Sequence, residues 1–138
     1  MSDPSLALQS AIVAALKDSN ELTGLVGERV YDRVPEAARF PYINYGEDQV
    51  IEADADGGDC LMPGFEVFIT IHVWSRAVGR AEAKRIGGAA RTALHGAALS
   101  VSGFALHECE LRSTTYFTDP DGLTTHGVCQ FRVLIDPA

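Results

Sequence analysis

The sequence predicts an α+β fold: a two-layer sandwich in which a mixed, mainly antiparallel sheet carries two helices packed on one face. Three observations lead there. In the stretch Phe65–Trp74, Phe65, Val67, Ile69, Ile71 and Val73 fall on one side at period two, against Glu66, Phe68, Thr70, His72 and Trp74 on the other. Two other segments repeat apolar residues at helical spacing. The order is helix, two short strands, long strand, helix, two long strands, which suits helices layered on a single sheet.

The first helix starts at Asp3-Pro4, an N-cap residue followed by a proline preset for the first helical turn. Leu8, Ile12, Ala15 and Leu16 form its apolar side, widened by Leu6 and Val13, and Asp18-Ser19-Asn20 ends it. Asn20 is a candidate cap for a short turn through Glu21-Leu22, stopped by Gly24 and Gly27. Short strands are expected at Arg29–Val34 and, after Phe40-Pro41, at Tyr42–Gly46. Residues 47–63 hold Glu47, Asp48, Glu52, Asp54, Asp56 and Asp59 with Gly57-Gly58 and no cation, and are expected to form a long exposed loop or loose hairpin.

The second helix is expected from about Arg80 to His95, with Ala83, Ile86, Ala90 and Ala93/Leu94 on its apolar side. Arg80, Lys84 and Arg91 line another side, and Glu82 stands three residues before Arg85 as an ion-pair partner. Gly87-Gly88 lies mid-helix, where each glycine costs about 1 kcal/mol relative to alanine. Such a pair points to close approach by another backbone or to loose packing on the sheet. Residues 104–117 and 128–135 read as a long hairpin around the turn signal Asp119-Pro120-Asp121-Gly122, with Pro137 ending it.

The 138 residues fit one domain, with no internal repeat and no linker. No apolar run is long enough to span a bilayer, and Met1-Ser2-Asp3-Pro4 has no cationic segment of a secretory signal. Cys60, Cys109 and Cys129 cannot all pair within one chain and are read as reduced thiols. The net charge of −8 excludes binding to DNA phosphates by general electrostatics.

No residue pattern carries chemistry. Glu52–Gly57 imitates the first half of a calcium-binding loop, but the twelfth position is Pro63, so the bidentate carboxylate is missing. His107/Cys109 and His126/Cys129 invite a zinc reading. The first spacing keeps both side chains on one strand face, whereas the second sends them to opposite faces. No nucleophile elbow, phosphate loop or dinucleotide fingerprint occurs, so neither a metal nor a cofactor nor catalysis is expected. What remains are surfaces. Arg80, Lys84 and Arg91 are either a solvated helix face or a docking face for an acidic surface on another copy. Phe68 and Trp74 make one sheet face partly apolar and suit an interface, unless the helices cover them inside the subunit.

The order of short motifs resembles a known family. The Asp3-Pro4 helix with Leu8, Ile12 and Leu16 is followed by Leu25-Val26-Gly27-Glu28-Arg29-Val30-Tyr31-Asp32, Val34-Pro35 and Phe40-Pro41-Tyr42-Ile43. Then come Ile71-His72-Val73-Trp74-Ser75-Arg76, Glu82-Ala83, Asp119-Pro120-Asp121-Gly122, His126-Gly127 and Phe131-Arg132. Over nearly the whole chain this is similar to the small tail-completion proteins of long-tailed phages and phage-derived gene transfer particles. The resemblance implies a tail terminator with no cofactor and no catalytic residues. It implies a six-membered ring, formed in the bacterial cytoplasm, that caps the head-proximal end of the tail tube. Its partners would be the tail tube protein and the head–tail connector or stopper protein, with DNA passing through the channel without specific binding. Six copies at −8 give a formal −48 (six times eight), which does not trap passing DNA, although salt screens it. Some of the acidic residues of segment 47–63 are then expected to face the channel or the adjoining ring. The nearest alternative is a head–tail adaptor or stopper ring of the same connector. A small hydrolase or ligand-binding domain is the alternative of a different class, and it would need an unexpected cleft with clustered histidines and carboxylates.

Overall fold

The computed structural model describes residues 3–53 and 64–138. Its elements follow the chain as α1 (Ser5–Asp18), α2 (Asn20–Val26), β1 (Val30–Tyr31), β2 (Tyr42–Ala53), β3 (Gly64–Ser75), α3 (Ala81–Leu94), β4 (Phe104–Thr118) and β5 (Thr125–Pro137). The strands form one mixed sheet in the order β1-β2-β3-β5-β4, antiparallel throughout except for the β1–β2 pair. The unit β3–α3–β4 is a split crossover. It returns to the sheet one strand away from its start, and β5 fills the gap.

Period two places Val67, Ile69, Ile71 and Val73 at full burial in the middle of the sheet. They are flanked by Cys129, Phe131, Val133 and Ile135 of β5. The helices close this face. α1 contributes Leu8, Ile12 and Leu16, four residues apart on one stripe, and α3 contributes Ala83, Ile86, Ala90 and Leu94. Leu6, expected on the apolar side of α1, is instead 74% exposed, because the helix meets the sheet through a stripe narrower than its apolar content.

α1 starts one residue later than expected, with Pro4 rather than Asp3 as its N-cap, although the Asp3 carboxylate still accepts the Ser5 backbone N–H at 2.7 Å. α2 differs. It is a full seven-residue helix running through Gly24, and its cap is Ser19 rather than Asn20, with the Ser19 hydroxyl accepting from Leu22 N–H at 3.2 Å. Leu22 and Val26, buried against the neighbouring helices, hold the helix despite the glycine.

Of the two alternatives for the acidic segment, loop or loose hairpin, the described part takes the hairpin: after a bulge between Tyr45 and Asp48, residues up to Ala53 pair as strand with β3, from Asp48↔Ile69 to Ala53↔Gly64. Glu47, Asp48, Gln49, Ile51 and Glu52 are exposed, so no apolar alternation marks them; the backbone ladder alone makes the strand. Asp54, Asp56 and Asp59 lie outside the described residues, as do Cys60 and most of the calcium-like segment.

Gly87 and Gly88 separate into two cases. A Cβ on Gly87 would collide with the Tyr116 hydroxyl of β4, so the close approach is by a side chain, not a backbone. Gly88 faces open space, with nothing within 4 Å of where its Cβ would stand.

Candidate functional site

The candidate residues divide between two opposite layers. Arg80, Lys84 and Arg91 are exposed on the helix layer. Phe68 and Trp74 are half-buried on the sheet face that carries no helix.

On the helix layer, Arg80 donates to the Thr118 hydroxyl at 3.2 Å, and the Lys84 ammonium sits 5.9 Å from the centre of the Tyr116 ring. Among the described residues, Lys84, Arg85 and Arg91 form no salt bridge. The expected Glu82–Arg85 pair is absent from that set. Glu82 turns to the sheet instead and accepts the Ser75 hydroxyl at 2.7 Å, pinning the start of α3 to the end of β3. Among the described residues α3 therefore presents a row of cations without an ion-pair partner, on a chain of net charge −8.

On the other layer the aromatic residues cover one another. Trp74 stacks on His126 with ring centres 3.8 Å apart and planes 13° apart, and lies beside Tyr42 at 6.3 Å. Its indole N–H donates to Asn44 Oδ1 at 2.7 Å. Phe40 packs on Tyr42 and carries the Arg76 guanidinium 4.3 Å from its ring centre. Trp74 is thus shielded by sheet neighbours and not by helices, which leaves the cluster's outer surface facing away from the subunit.

Sequence reasoning missed a histidine pair in this cluster. His72 Nδ1 and His126 Nε2 stand 2.7 Å apart, with Glu47 Oε1 3.3 Å from His72 Nε2 and Asp119 Oδ1 3.8 Å from His126 Nδ1. One ring must donate and the other accept, so the pair holds one excess proton comfortably but not two. Burial, then the neighbouring His72, lowers the His126 pKa, while Asp119 and Glu47 oppose the shift. The Glu47 carboxyl is held below its usual value, first by its own backbone N–H and then by His72. Room for the His72 ring comes from Gly46 at the bulge, where any Cβ would strike the imidazole. A second missed group is Arg132, which bonds Glu66 and, at 3.1 Å, Glu108, tying β3, β5 and β4 together across the open face. Both constellations bring together residues from different strands, so the pairing register creates them and local spacing carries no trace.

The zinc reading fails on geometry. Cys109 and Cys129 are buried on the helix-covered face, where burial raises both thiols to about 11. His126 lies on the opposite face, and His107, at a bulge in β4, is exposed and bonded to Asp136 at 2.6 Å. Among the described residues no group of three or more His, Cys, Asp or Glu is arranged to hold a metal ion. Among them, too, no helix is long and apolar enough to cross a membrane.

Comparison with known proteins agrees with a surface-bearing module. Among solved structures, a chain of the virion of a native gene transfer agent particle superposes with TM-score 0.87, at 27% identity over 99% of both chains. The gp17 protein of bacteriophage SPP1 superposes with TM-score 0.62, at 27% identity over 94% of this chain and 88% of that one. No curated protein sequence matches significantly. The family model described as tail completion protein gp17 matches residues 10–136. The chain therefore belongs to the tail completion protein gp17 family, and is a structural component of phage and phage-like particles rather than an enzyme.

Proposed function

We propose that the protein is a tail terminator. In this reading it forms a ring, hexameric as the family resemblance implies, at the head-proximal end of the tail tube. The ring stops tube polymerisation, offers a surface to the head connector and lets DNA pass. The observation that carries this reading is the likeness, over the full length of both chains, to a component of an assembled gene transfer agent virion. The charge layout supports it. One layer carries the exposed cations of α3, while the flank of β2 carries exposed Glu47, Asp48 and Glu52. Two unlike surfaces on one molecule favour head-to-tail contacts, which close into rings when the rotation allows. Arg80, Lys84 and Arg91 are then subunit contacts, Phe68 and Trp74 belong to a second contact on the open sheet face, and some carboxylates of the acidic segment, Glu47 at the β2 bulge among them, face the channel or the next ring. The net negative charge keeps the channel from holding DNA.

The test is to size the purified protein alone and with its tail tube protein. A terminator caps preformed tubes and halts their growth. Binding to the portal side with no effect on tube growth would instead identify a head–tail adaptor. For the subunit contact, Lys84→Glu combined with Arg91→Glu should abolish the ring in light scattering; unchanged assembly removes the helix layer from the interface.

A further inference from the structure

A groove of about 680 Å³ runs between α2 and α3, lined by Asn20, Glu21, Gly24, Leu25 and, from α3, Lys84, Arg85 and Gly88. Lys84 and Arg85 stand on its rim without an ion-pair partner among the described residues. Its floor holds two helix-interior glycines, one from each helix, and neither has any atom within 4 Å of where a Cβ would sit. Nothing among the described residues requires glycine at these two positions, although glycine disfavours the helix at both. Gly87 next door shows what an internally required glycine looks like: its missing Cβ makes room for Tyr116.

The opposite chemistry lies on the same chain. β1 covers only Ile43 and Asn44 of β2, so among the described residues the outer edge of β2 beyond them has no strand partner. That free edge carries exposed Asp48 and Glu52. It is an extended, acidic segment, and the groove sets two cations, Lys84 and Arg85, against one carboxylate, Glu21, with two glycines in its lining that add no side-chain bulk.

We propose that the α2–α3 groove is the docking site for a second copy of this chain, and that it receives the acidic edge of that copy's β2. The inference rests on the ring reading above and gives one of its contacts an address. Because the contact is head-to-tail, each subunit gives an edge and accepts one, leaving no unsatisfied groove in a closed ring.

The test uses the two glycines, because their effects on folding and on assembly have opposite signs. Gly88→Ala and Gly24→Ala should raise the melting temperature of the subunit by about 2–4 °C each, since alanine favours the helix and meets no atom. The same variants should weaken self-association, and the bulkier Gly88→Leu should weaken it at least tenfold in sedimentation velocity. Lys84→Glu with Arg85→Glu should also dissociate the assembly, and adding Asp48→Lys with Glu52→Lys should restore it. Variants that melt higher yet assemble like the wild type overturn the groove while leaving the ring intact. Rings that form normally but no longer cap tubes reassign the groove to the tube protein and overturn the proposal. Failure of the charge swap to restore assembly excludes β2 as the occupant. A wild-type chain that stays monomeric even with preformed tubes overturns the ring, and the groove with it.

Discussion

On the side of the sheet that meets the helices, β3 offers Val67, Ile69, Ile71 and Val73, all fully buried, and β5 offers Phe131 and Val133 beside them. On the other side the same strands offer Glu66, Phe68, His72 and Trp74, and then His126, Gln130 and Arg132, all half-buried or exposed and mostly hydrogen-bonded to one another. The first side is held by area removed from water, a non-directional force that tolerates many apolar sequences. The second is held by pairwise geometry between strands, and each partner matters through one or two contacts. A chain that builds one face by volume and leaves the other polar and patterned has settled its fold on the first.

The largest expected effect tests the covered face. Phe131→Ala removes the largest fully buried side chain at the centre of the core and should cost about 3–5 kcal/mol, lowering the melting temperature by about 10–20 °C. Thermal denaturation followed by circular dichroism reads this directly. A loss below about 1 kcal/mol would mean that the core does not carry the fold as described.

This asymmetry also explains what could be read in advance. Period two in Phe65–Val73 and the four-residue spacing of Leu8, Ile12 and Leu16 are volume signals, and they gave the sandwich, the central strand and the helix-covered face. Between loop and loose hairpin the sequence of Asp48–Ala53 does not decide, because its strand character comes from backbone pairing with β3 and not from alternation. His72 and His126, 54 residues apart, meet only because β3 and β5 pair in one register. Glu82 turned from Arg85 to Ser75 because a hydroxyl at the end of β3 lies within reach, a fact of tertiary placement. The cations of α3 were legible as residues, but that they form no ion pair among the described residues, and that a groove opens beside them, was not.

The next effect sharpens the comparison at the covered face's edge. Gly87→Ala forces a methyl group into the Tyr116 hydroxyl and should cost about 1–3 kcal/mol, the range for overpacking. Adding Tyr116→Phe, which removes the colliding oxygen, should recover much of that loss. If Gly87→Ala is neutral alone, α3 sits less tightly on β4 than the close approach of Tyr116 to Gly87 requires.

On the open face, Trp74→Ala loses the stack on His126 and the bond to Asn44 but leaves no buried void, so the cost to the subunit should be about 1–2 kcal/mol. Because this face meets no helix, the same substitution should weaken the assembly more than it weakens the fold. Comparing the melting temperature with the mass distribution in sedimentation separates the two. Equal losses would assign Trp74 to the fold alone.

The smallest effect concerns the histidine pair and is read as a slope against pH. The groups facing it are Glu47 from the β2 bulge and Asp119 from the β4–β5 turn, with Trp74, Phe117 and Asn44 neutral around them. His126 has a folded pKa below its ordinary value of about 6.5, so the folded state binds its proton less readily than the unfolded chain does. The contribution is therefore complete above pH 6.5 and is lost as pH falls through the depressed folded value. The loss has burial of the ring as its first cause and the neighbouring His72 as its second: a second excess proton would set one ring N–H against the other across 2.7 Å. Partial exposure of both rings and the two carboxylates moderate it, so the wild type should lose only about 1–3 °C of melting temperature between pH 7 and pH 5 beyond what His126→Gln loses. The variant starts lower because it gives up the stack on Trp74, and only the difference in slope counts. Parallel slopes would show that the fold is indifferent to protonation of the pair, and that the 2.7 Å contact opens without cost when the second proton arrives.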